Sequence, residues 1–413
     1  MMSLRSATAL RTASAPELAR LRPARPAVFA PGAAPRVWVL SSPRAGERTQ
    51  LMALAQALGC PYEVKQIAHR PFGAAIELLG GDHLLGVDLE RSDSLDGPWP
   101  ELVLLAHQSN ETVARWIRRQ SGGRTRLVLL GRPWAPVEEF DLVVTTPQYE
   151  LAEAANVLQN LLPLHGVTAE RLAEAAGKWE PRLAHLPRPF VTVMVGGSSG
   201  PYVFDAKAAA RLGREASELA HRLGGSVLVS TSARTKPAAV DALFAAIDAP
   251  ACLHRWVPGD SQNPYFGFLG LADRIIVTAD SISMIAEASA TGKPVQMFDF
   301  GSGHVPMRDD TAVDQDQPLL TRLRGRLYEL YMQLPRSRLN RSRDLRIVHR
   351  ALLATGRVTW AGDEAAVGSV RTVGDEMTRT LNRLRGLLSF PQRAAVADNA
   401  SSQTVAGLAV AQA

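Results

Sequence analysis

Twice along the chain, short apolar strands alternate with amphipathic helices, and no other feature limits the possible folds so strongly. The first series places strands at Val37–Leu40, Tyr62–Ile67, Leu102–Ala106, Leu127–Leu130 and Leu142–Val144, with helices over Glu47–Leu58 and Asn110–Arg119. The second restarts at Phe190–Val195 and continues through Ser226–Ser230, Cys252–Val257, Arg274–Thr278 and Val295–Phe298. One of its helices runs from an Asp205 N-cap to Leu223, and another starts at Pro237. Strands made almost wholly of Val, Leu and Ile, joined by helices, require a parallel sheet covered on both faces. The sequence therefore predicts an α/β fold of two Rossmann-like, doubly wound domains facing a central cleft, where a ligand would sit.

The segments divide accordingly. Residues 1–35 form a leader rich in Ala, Arg, Ser and Pro, read either as an organellar targeting peptide or as a disordered start. An N-terminal, acceptor-side domain is expected over 36–167, a polar linker over 168–189, and a nucleotide-sugar domain over 190–305. An Arg-rich helical insertion follows over 306–346, then C-terminal helices over 347–391 and a disordered tail over 392–413.

Composition excludes several classes. The net charge is +6 in 413 residues, but Arg is mixed with Asp and Glu through most of the chain, and no interleaved aromatics form a nucleic-acid platform. Nucleic acid is not an expected partner. No apolar run is long enough to span a bilayer. Cys60 and Cys252, the two cysteines, fit neither a metal nor a disulfide pattern, which suits a reducing, cytoplasmic compartment. No zinc-ligand spacing, Walker loop or nucleophile elbow occurs, and no metal site is expected.

The densest motif runs from Asn263-Pro264-Tyr265 through Asp280-Ser281-Ile282-Ser283 and Glu287 to Gly292-Lys293-Pro294. A strand ends there at a polar knuckle, and hydroxyls stand at a helix N-terminus, where unpaired N–H groups and the dipole favour phosphate. Ser283 and Glu287, one turn apart, are expected to look out side by side, a surface suited to a ribose diphosphate. The loop Gly196 to Gly200, with Gly197, Ser198 and Ser199, is either a phosphate cradle or ordinary turn chemistry. Arg234 and Lys236 end the next strand, as diphosphate ligands or as a solvated helix start.

In the first series Gly46, Glu47 and Gln50 open a helix on the acceptor side, and His107 ends the third strand. Glu47 reads as a general base or as a first-turn acid, and His107 as a catalytic or a structural imidazole. The helix from Leu319 carries Leu319, Leu323, Leu327, Leu330 and Leu334 on one stripe, flanked by Arg322, Arg324 and Arg326. It either buries those leucines in the protein or lies on an anionic membrane surface through Leu319–Arg346.

These residues also carry a family resemblance. Trp38-Val39-Leu40, Ala45-Gly46, Gln50, Asn263-Pro264-Tyr265-Phe266-Gly267, Val277 through Ala288 and Thr291-Gly292-Lys293-Pro294-Val295 resemble the ELM-type mitochondrial fission family and its bacterial relatives. The resemblance covers roughly Pro35 to Phe300 and extends to Ile347–Trp360. It implies a GT-B-like architecture. Plant members are associated with mitochondrial division as recruiting factors, while bacterial members are similar to GT-B glycosyltransferases. In such enzymes the second domain holds the nucleotide sugar, and a glutamate matching Glu287 binds the ribose. Three departures touch this pattern: Ser42-Pro43 in place of Asp-Gly, His107-Gln108 in place of Gly-Arg, and Met284 where Thr is common.

The expected protein is a metal-independent glycosyltransferase with no bound cofactor, using a nucleotide-diphosphate sugar as donor and a glycan or lipid-linked acceptor. Gly197, Ser198, Ser199, Arg234, Asp280, Ser281 and Ser283 would surround the diphosphate, Glu287 the ribose, and Asn263 and Tyr265 the base or sugar. Glu47 or His107 would take the acceptor proton. Its expected location is cytoplasmic, at the inner membrane face, with a mitochondrial alternative. The alternatives in function are a non-catalytic adaptor and a nucleotide-sugar epimerase.

Overall fold

The computed structural model describes residues 34–71, 80–301, 307–308, 323, 326–328, 330–332, 343–363 and 376–388. Most of the leader, the tail, and Leu319, Arg322, Arg324 and Leu334 of the Arg-rich segment lie outside them. The chain builds two six-stranded parallel sheets, the pair of Rossmann-like domains that the alternation predicts. The first contains β1 (Val37–Leu40), β2 (Tyr62–Lys65), β3 (Leu102–Leu105), β4 (Arg126–Leu130), β5 (Leu142–Thr145) and β6 (Val157–Gln159), in the order β2-β1-β3-β4-β5-β6. The second contains β7 (Phe190–Met194), β8 (Ser226–Ser230), β9 (Ala251–His254), β10 (Arg274–Thr278), β11 (Val295–Phe298) and β12 (Thr359–Trp360), in the order β12-β11-β10-β7-β8-β9.

The strands alternate between two cores. Val37, Val39, Leu102 and Leu104 pack with Leu51 and Leu54 of α1 (Ala45–Leu58). Trp38, Leu40, Val103 and Leu105 pack on the other face with Val113 and Ile117 of α2 (Glu111–Gln120). Period-two side chains buried on both faces are what a covered parallel sheet demands. The second sheet is covered by α3 (Ala169–Leu183), α4 (Ala206–Leu223), α5 (Pro237–Ala245), α6 (Tyr265–Leu271), α7 (Ile282–Ser289) and α8 (Leu345–Ala354). Helix starts follow local chemistry. Thr168 and Asp205 cap α3 and α4 by accepting from Arg171 N and Ala208 N, and Pro237 opens α5.

The larger differences from the strand limits read in the sequence lie at sheet edges. β2 ends at Lys65 because its partner β1 ends opposite it at Leu40, and β9 ends at His254 opposite Ser230 of β8. The short edge strands β6 and β12 carry too few residues to show a period.

Strand order fixes where a site can form. In an open α/β sheet a crevice opens beyond the carboxyl ends of two adjacent strands whose connections leave in opposite directions. Those pairs are β1/β3 in the first sheet and β7/β10 in the second. The chain beyond β11 ties the two bodies together. Asp344 N, at the start of α8, donates to the Gln148 carbonyl of the first body at 3.0 Å. Helix α9 (Glu376–Leu388) returns to pack Leu381, Leu384 and Leu388 against the α1 face, and Asn160 Nδ2 donates to Thr380 Oγ1 at 3.1 Å.

Candidate functional site

At the β7/β10 crevice the loop after β7 is held from several sides. Gly196 N donates to Thr278 Oγ1 at 2.8 Å, Gly197 N to Asp280 Oδ2 at 3.2 Å, and Ser199 N to the Tyr202 carbonyl at 2.9 Å. Three of the N–H groups expected to cradle a phosphate are thus occupied by the protein. Ser232 Oγ and Thr235 Oγ1 both donate to the Gly196 carbonyl, the latter at 2.6 Å, so the loop after β8 braces the loop after β7. Arg234 also faces inward: its Nη1 lies 2.6 Å from Oδ2 of Asp280, which is 2% exposed. Burial pushes the Asp280 carboxyl above its usual range, and Arg234 opposes that shift. This packing needs glycine. A Cβ at Gly196 would meet the Asp280 carboxylate at 2.6 Å, and one at Gly197 (φ +153°) would meet the Arg234 carbonyl at 2.3 Å. Ser198 Oγ accepts from Phe204 N at 3.0 Å, which leaves its proton available to a ligand.

Helices α6 and α7 carry the specific motif. Gly267 and Gly270 let α3 approach closely, since a Cβ there would lie 2.5 Å from the Trp179 ring and 2.6 Å from the Leu172 carbonyl. Lys293 closes the other end of α6, donating to the Leu269 and Gly270 carbonyls at 2.9 and 2.5 Å, and burial lowers its pKa to about 8. Together these contacts fix Tyr265, whose hydroxyl donates to Glu287 Oε2. Glu287 therefore does not look out beside Ser283. It is buried, and burial pushes its carboxyl up to about 7, against the Tyr265 hydrogen bond and Arg171. Burial and the neighbouring Glu287 also hold the Tyr265 phenol well above its ordinary value. Asn263 is exposed, and its Oδ1 accepts from Tyr265 N at 3.0 Å.

At the β1/β3 crevice Asn110, fully buried, bridges the two loops. Its Nδ2 donates to the Ser41 carbonyl at 3.0 Å and its Oδ1 lies 3.2 Å from His69 Nε2. Glu47 Oε2 accepts from Ser42 Oγ at 2.6 Å and Oε1 from Arg44 at 3.1 Å. His107 Nδ1 accepts from Ser109 N at 3.3 Å, and burial, Arg44 and His69 lower its pKa to about 4. At neutral pH the imidazole is uncharged, and the tautomer in which Nδ1 accepts from Ser109 N presents Nε2 as a donor. Gln50 stands half-buried one turn after Gly46 on the same face of α1.

The two crevices meet at Gly46 and Ser283. A Cβ on Gly46 would lie 3.3 Å from Ser283 Oγ, so the first turns of α1 and α7 touch. Neither helix is capped by a side chain: Arg44 and Ser281, the N-cap residues, make no such bond. Two helix N-termini with their positive dipole ends converge there, and Glu47 is the acid in the first turn of α1.

Several residues at the site carry no local sequence signal. Asn110 and His69 join the site through partners distant in sequence. Arg343 reaches the loop after β7 and donates to Ser199 Oγ. His349 on α8 is buried with Nε2 2.8 Å from the Ala279 carbonyl, beneath the knuckle before α7.

Comparison with known proteins agrees with the motif-level resemblance. The family model described as mitochondrial fission ELM1 matches residues 45–331. The chain is 28% identical over 234 residues to mitochondrial fission protein ELM1 of Arabidopsis thaliana, covering 51% of this chain and 53% of that protein, about half its length. It is 22% identical over 297 residues to uncharacterized protein RP120 of Rickettsia prowazekii (strain Madrid E), covering 63% of this chain and 82% of that one. Among solved structures, the S. aureus MnaA–UDP co-structure is similar with a TM-score of 0.43 and 11% identity, covering 86% of this chain and 97% of that one. A family match running through both sheets identifies the chain as a member of the mitochondrial fission ELM1 family.

Proposed function

We propose that the protein is a glycosyltransferase that takes a sugar from a nucleotide-diphosphate donor and delivers it to a glycan or lipid-linked acceptor of the cell envelope. The observation that carries this reading is the contact between the uncapped first turns of α1 and α7. A diphosphate lying across the open ends of both turns satisfies the two helix N-termini and needs no divalent cation. Glu287, held by Tyr265, receives the ribose hydroxyls, and Ser281 and Ser283 line the phosphate side. In the transfer, the bond from the anomeric carbon to the diphosphate oxygen breaks as the acceptor oxygen bonds to that carbon. The acceptor proton passes to Glu47, and the nucleoside diphosphate leaves with the electron pair of the broken bond. His107 assists as a hydrogen-bond donor through Nε2, because its other nitrogen is engaged by Ser109.

A thermal-shift and calorimetric screen of UDP, ADP, GDP, CDP and dTDP tests the reading. One of them is expected to bind, and Gly46→Leu, which fills the space before Ser283, is expected to weaken it at least tenfold, about 1.4 kcal/mol. Gly46 has no positive φ, so the backbone tolerates the change. Binding of none of the five would overturn the transferase reading and favour an adaptor. Interconversion of a sugar nucleotide without acceptor would favour an epimerase.

The Arg-rich segment favours a membrane contact. Leu323, Leu327 and Leu330 are 51, 57 and 58% exposed, so these leucines are not packed into the protein as the burial reading expects. They recur at helical spacing in a segment holding Arg322, Arg324, Arg326, Arg336, Arg338 and Arg341. Apolar side chains flanked by arginines suit the headgroup boundary of an anionic bilayer. Among the described residues no helix is long and apolar enough to cross a membrane. Vesicles containing phosphatidylglycerol are expected to sediment the protein, and Leu323→Ser, Leu327→Ser and Leu330→Ser together to abolish this. Undiminished sedimentation of the triple variant would sink the idea.

A further inference from the structure

We propose that Arg343, from the segment between β11 and β12, is the cation that neutralises the donor's diphosphate at the loop after β7. The inference rests on the nucleotide-sugar reading and assigns a specific residue within it. The loop itself has little left to offer an anion, because the N–H groups of Gly196, Gly197 and Ser199 are bonded to Thr278, Asp280 and Tyr202. Arg234 looks like the phosphate ligand in the sequence, but its charge is matched by the buried carboxylate of Asp280. Its Nη1 also reaches the Gly197 carbonyl at 3.3 Å, so it serves to hold the loop.

Arg343 is placed differently. It donates to the hydroxyl of Ser199, at the turn that Ser199 and Tyr202 close and that ends the β7 side of the crevice. The neighbouring carboxylate, Asp344, is committed elsewhere. It binds the Arg346 guanidinium at 2.9 and 3.0 Å and accepts from Arg346 N at 3.0 Å. Among the described residues no carboxylate forms an ion pair with Arg343, so its charge stays uncompensated at the loop. A second observation points the same way. The hydroxyl of Tyr202, a residue 2% exposed on this turn, has no hydrogen-bond partner. Burial raises its pKa, the Asp344 carboxylate adds to the rise, and Arg346 and Arg343 oppose it. A half-buried guanidinium, the Ser199 hydroxyl and an unsatisfied phenol gather at this turn. A phosphate supplies several acceptor oxygens and the negative charge, and a planar guanidinium binds it with two parallel N–H bonds.

The test compares wild type and Arg343→Gln with the nucleoside diphosphate that binds best of UDP, ADP, GDP, CDP and dTDP, and with the matching nucleoside. Arg343→Gln is expected to weaken the diphosphate at least tenfold, leave the nucleoside within twofold, and flatten the salt dependence of diphosphate binding. Arg343→Lys should recover part of the loss, and Ser199→Ala should cost less than Arg343→Gln. Diphosphate affinity within twofold of wild type in a folded Arg343→Gln protein would overturn the assignment while leaving the nucleotide-sugar reading intact. Binding of none of the five diphosphates to wild type would overturn both.

Discussion

Glu287→Gln is expected to remove a pH-dependent loss of stability and, in the same protein, to weaken nucleotide binding. The carboxyl is 8% exposed, and its Oε2 accepts from the Tyr265 hydroxyl. Burial raises its pKa from 4.5 to about 7. Below the unfolded value both states are protonated and the group contributes nothing adverse. Between the two values the unfolded chain ionises while the folded protein keeps its proton, so stability falls as pH rises. Above the folded value the full penalty, roughly 3 kcal/mol, is present. Glutamine keeps the shape and the acceptor for Tyr265 but cannot ionise. Urea midpoints of the two proteins should run together near pH 4.5 and separate by about 2 kcal/mol at pH 8, allowing for the new amide donor. Parallel profiles across that range would show that Glu287 is not held at a cost. For binding, loss of two charge-assisted hydrogen bonds to ribose hydroxyls predicts about a 10- to 100-fold weaker nucleoside diphosphate. A residue that lowers stability in the free protein and strengthens binding is what a functional carboxylate looks like thermodynamically.

Arg234→Gln is expected to destabilise the second body by about 2–3 kcal/mol, because it leaves the buried Asp280 carboxylate without its guanidinium. The loss is smaller than for a fully buried pair because the Arg234 side chain is 42% exposed and solvent screens its charge. Adding Asp280→Asn should restore at least half of that stability, since the partner charge is then removed as well. Denaturant midpoints of the two single variants and the double variant measure the coupling. A stable Arg234→Gln protein that nevertheless fails to bind any nucleoside diphosphate would make Arg234 a direct phosphate ligand, and would transfer to it the role assigned to Arg343. The two experiments therefore divide the cationic work at one loop between a positioning arginine and a binding one.

Much of the architecture can be read from the residues alone because its causes are local. An apolar run bounded by polar or glycine residues is a buried strand wherever it occurs, and β1, β8, β10 and β11 have the limits read from the sequence. Asp205 and Pro237 begin helices by hydrogen bonding and φ restriction within four residues. The repeated strand–helix series determines two parallel sheets, and carboxyl strand ends as the place to look for a ligand.

Tertiary structure decided what the candidate residues do there. Glu287 faces inward because Tyr265, fixed by the close packing of α6 on α3, meets it from another helix. Arg234 meets Asp280 because β8 and β10 flank β7, a matter of strand order that no spacing in the chain reveals. Gly46 meets Ser283 across more than two hundred residues, and Arg343 reaches Ser199 from beyond the second series. Hydrophobic periodicity and capping act over a few residues, whereas the charge state and orientation of a buried polar group depend on whichever partner the packed chain brings within about 3 Å.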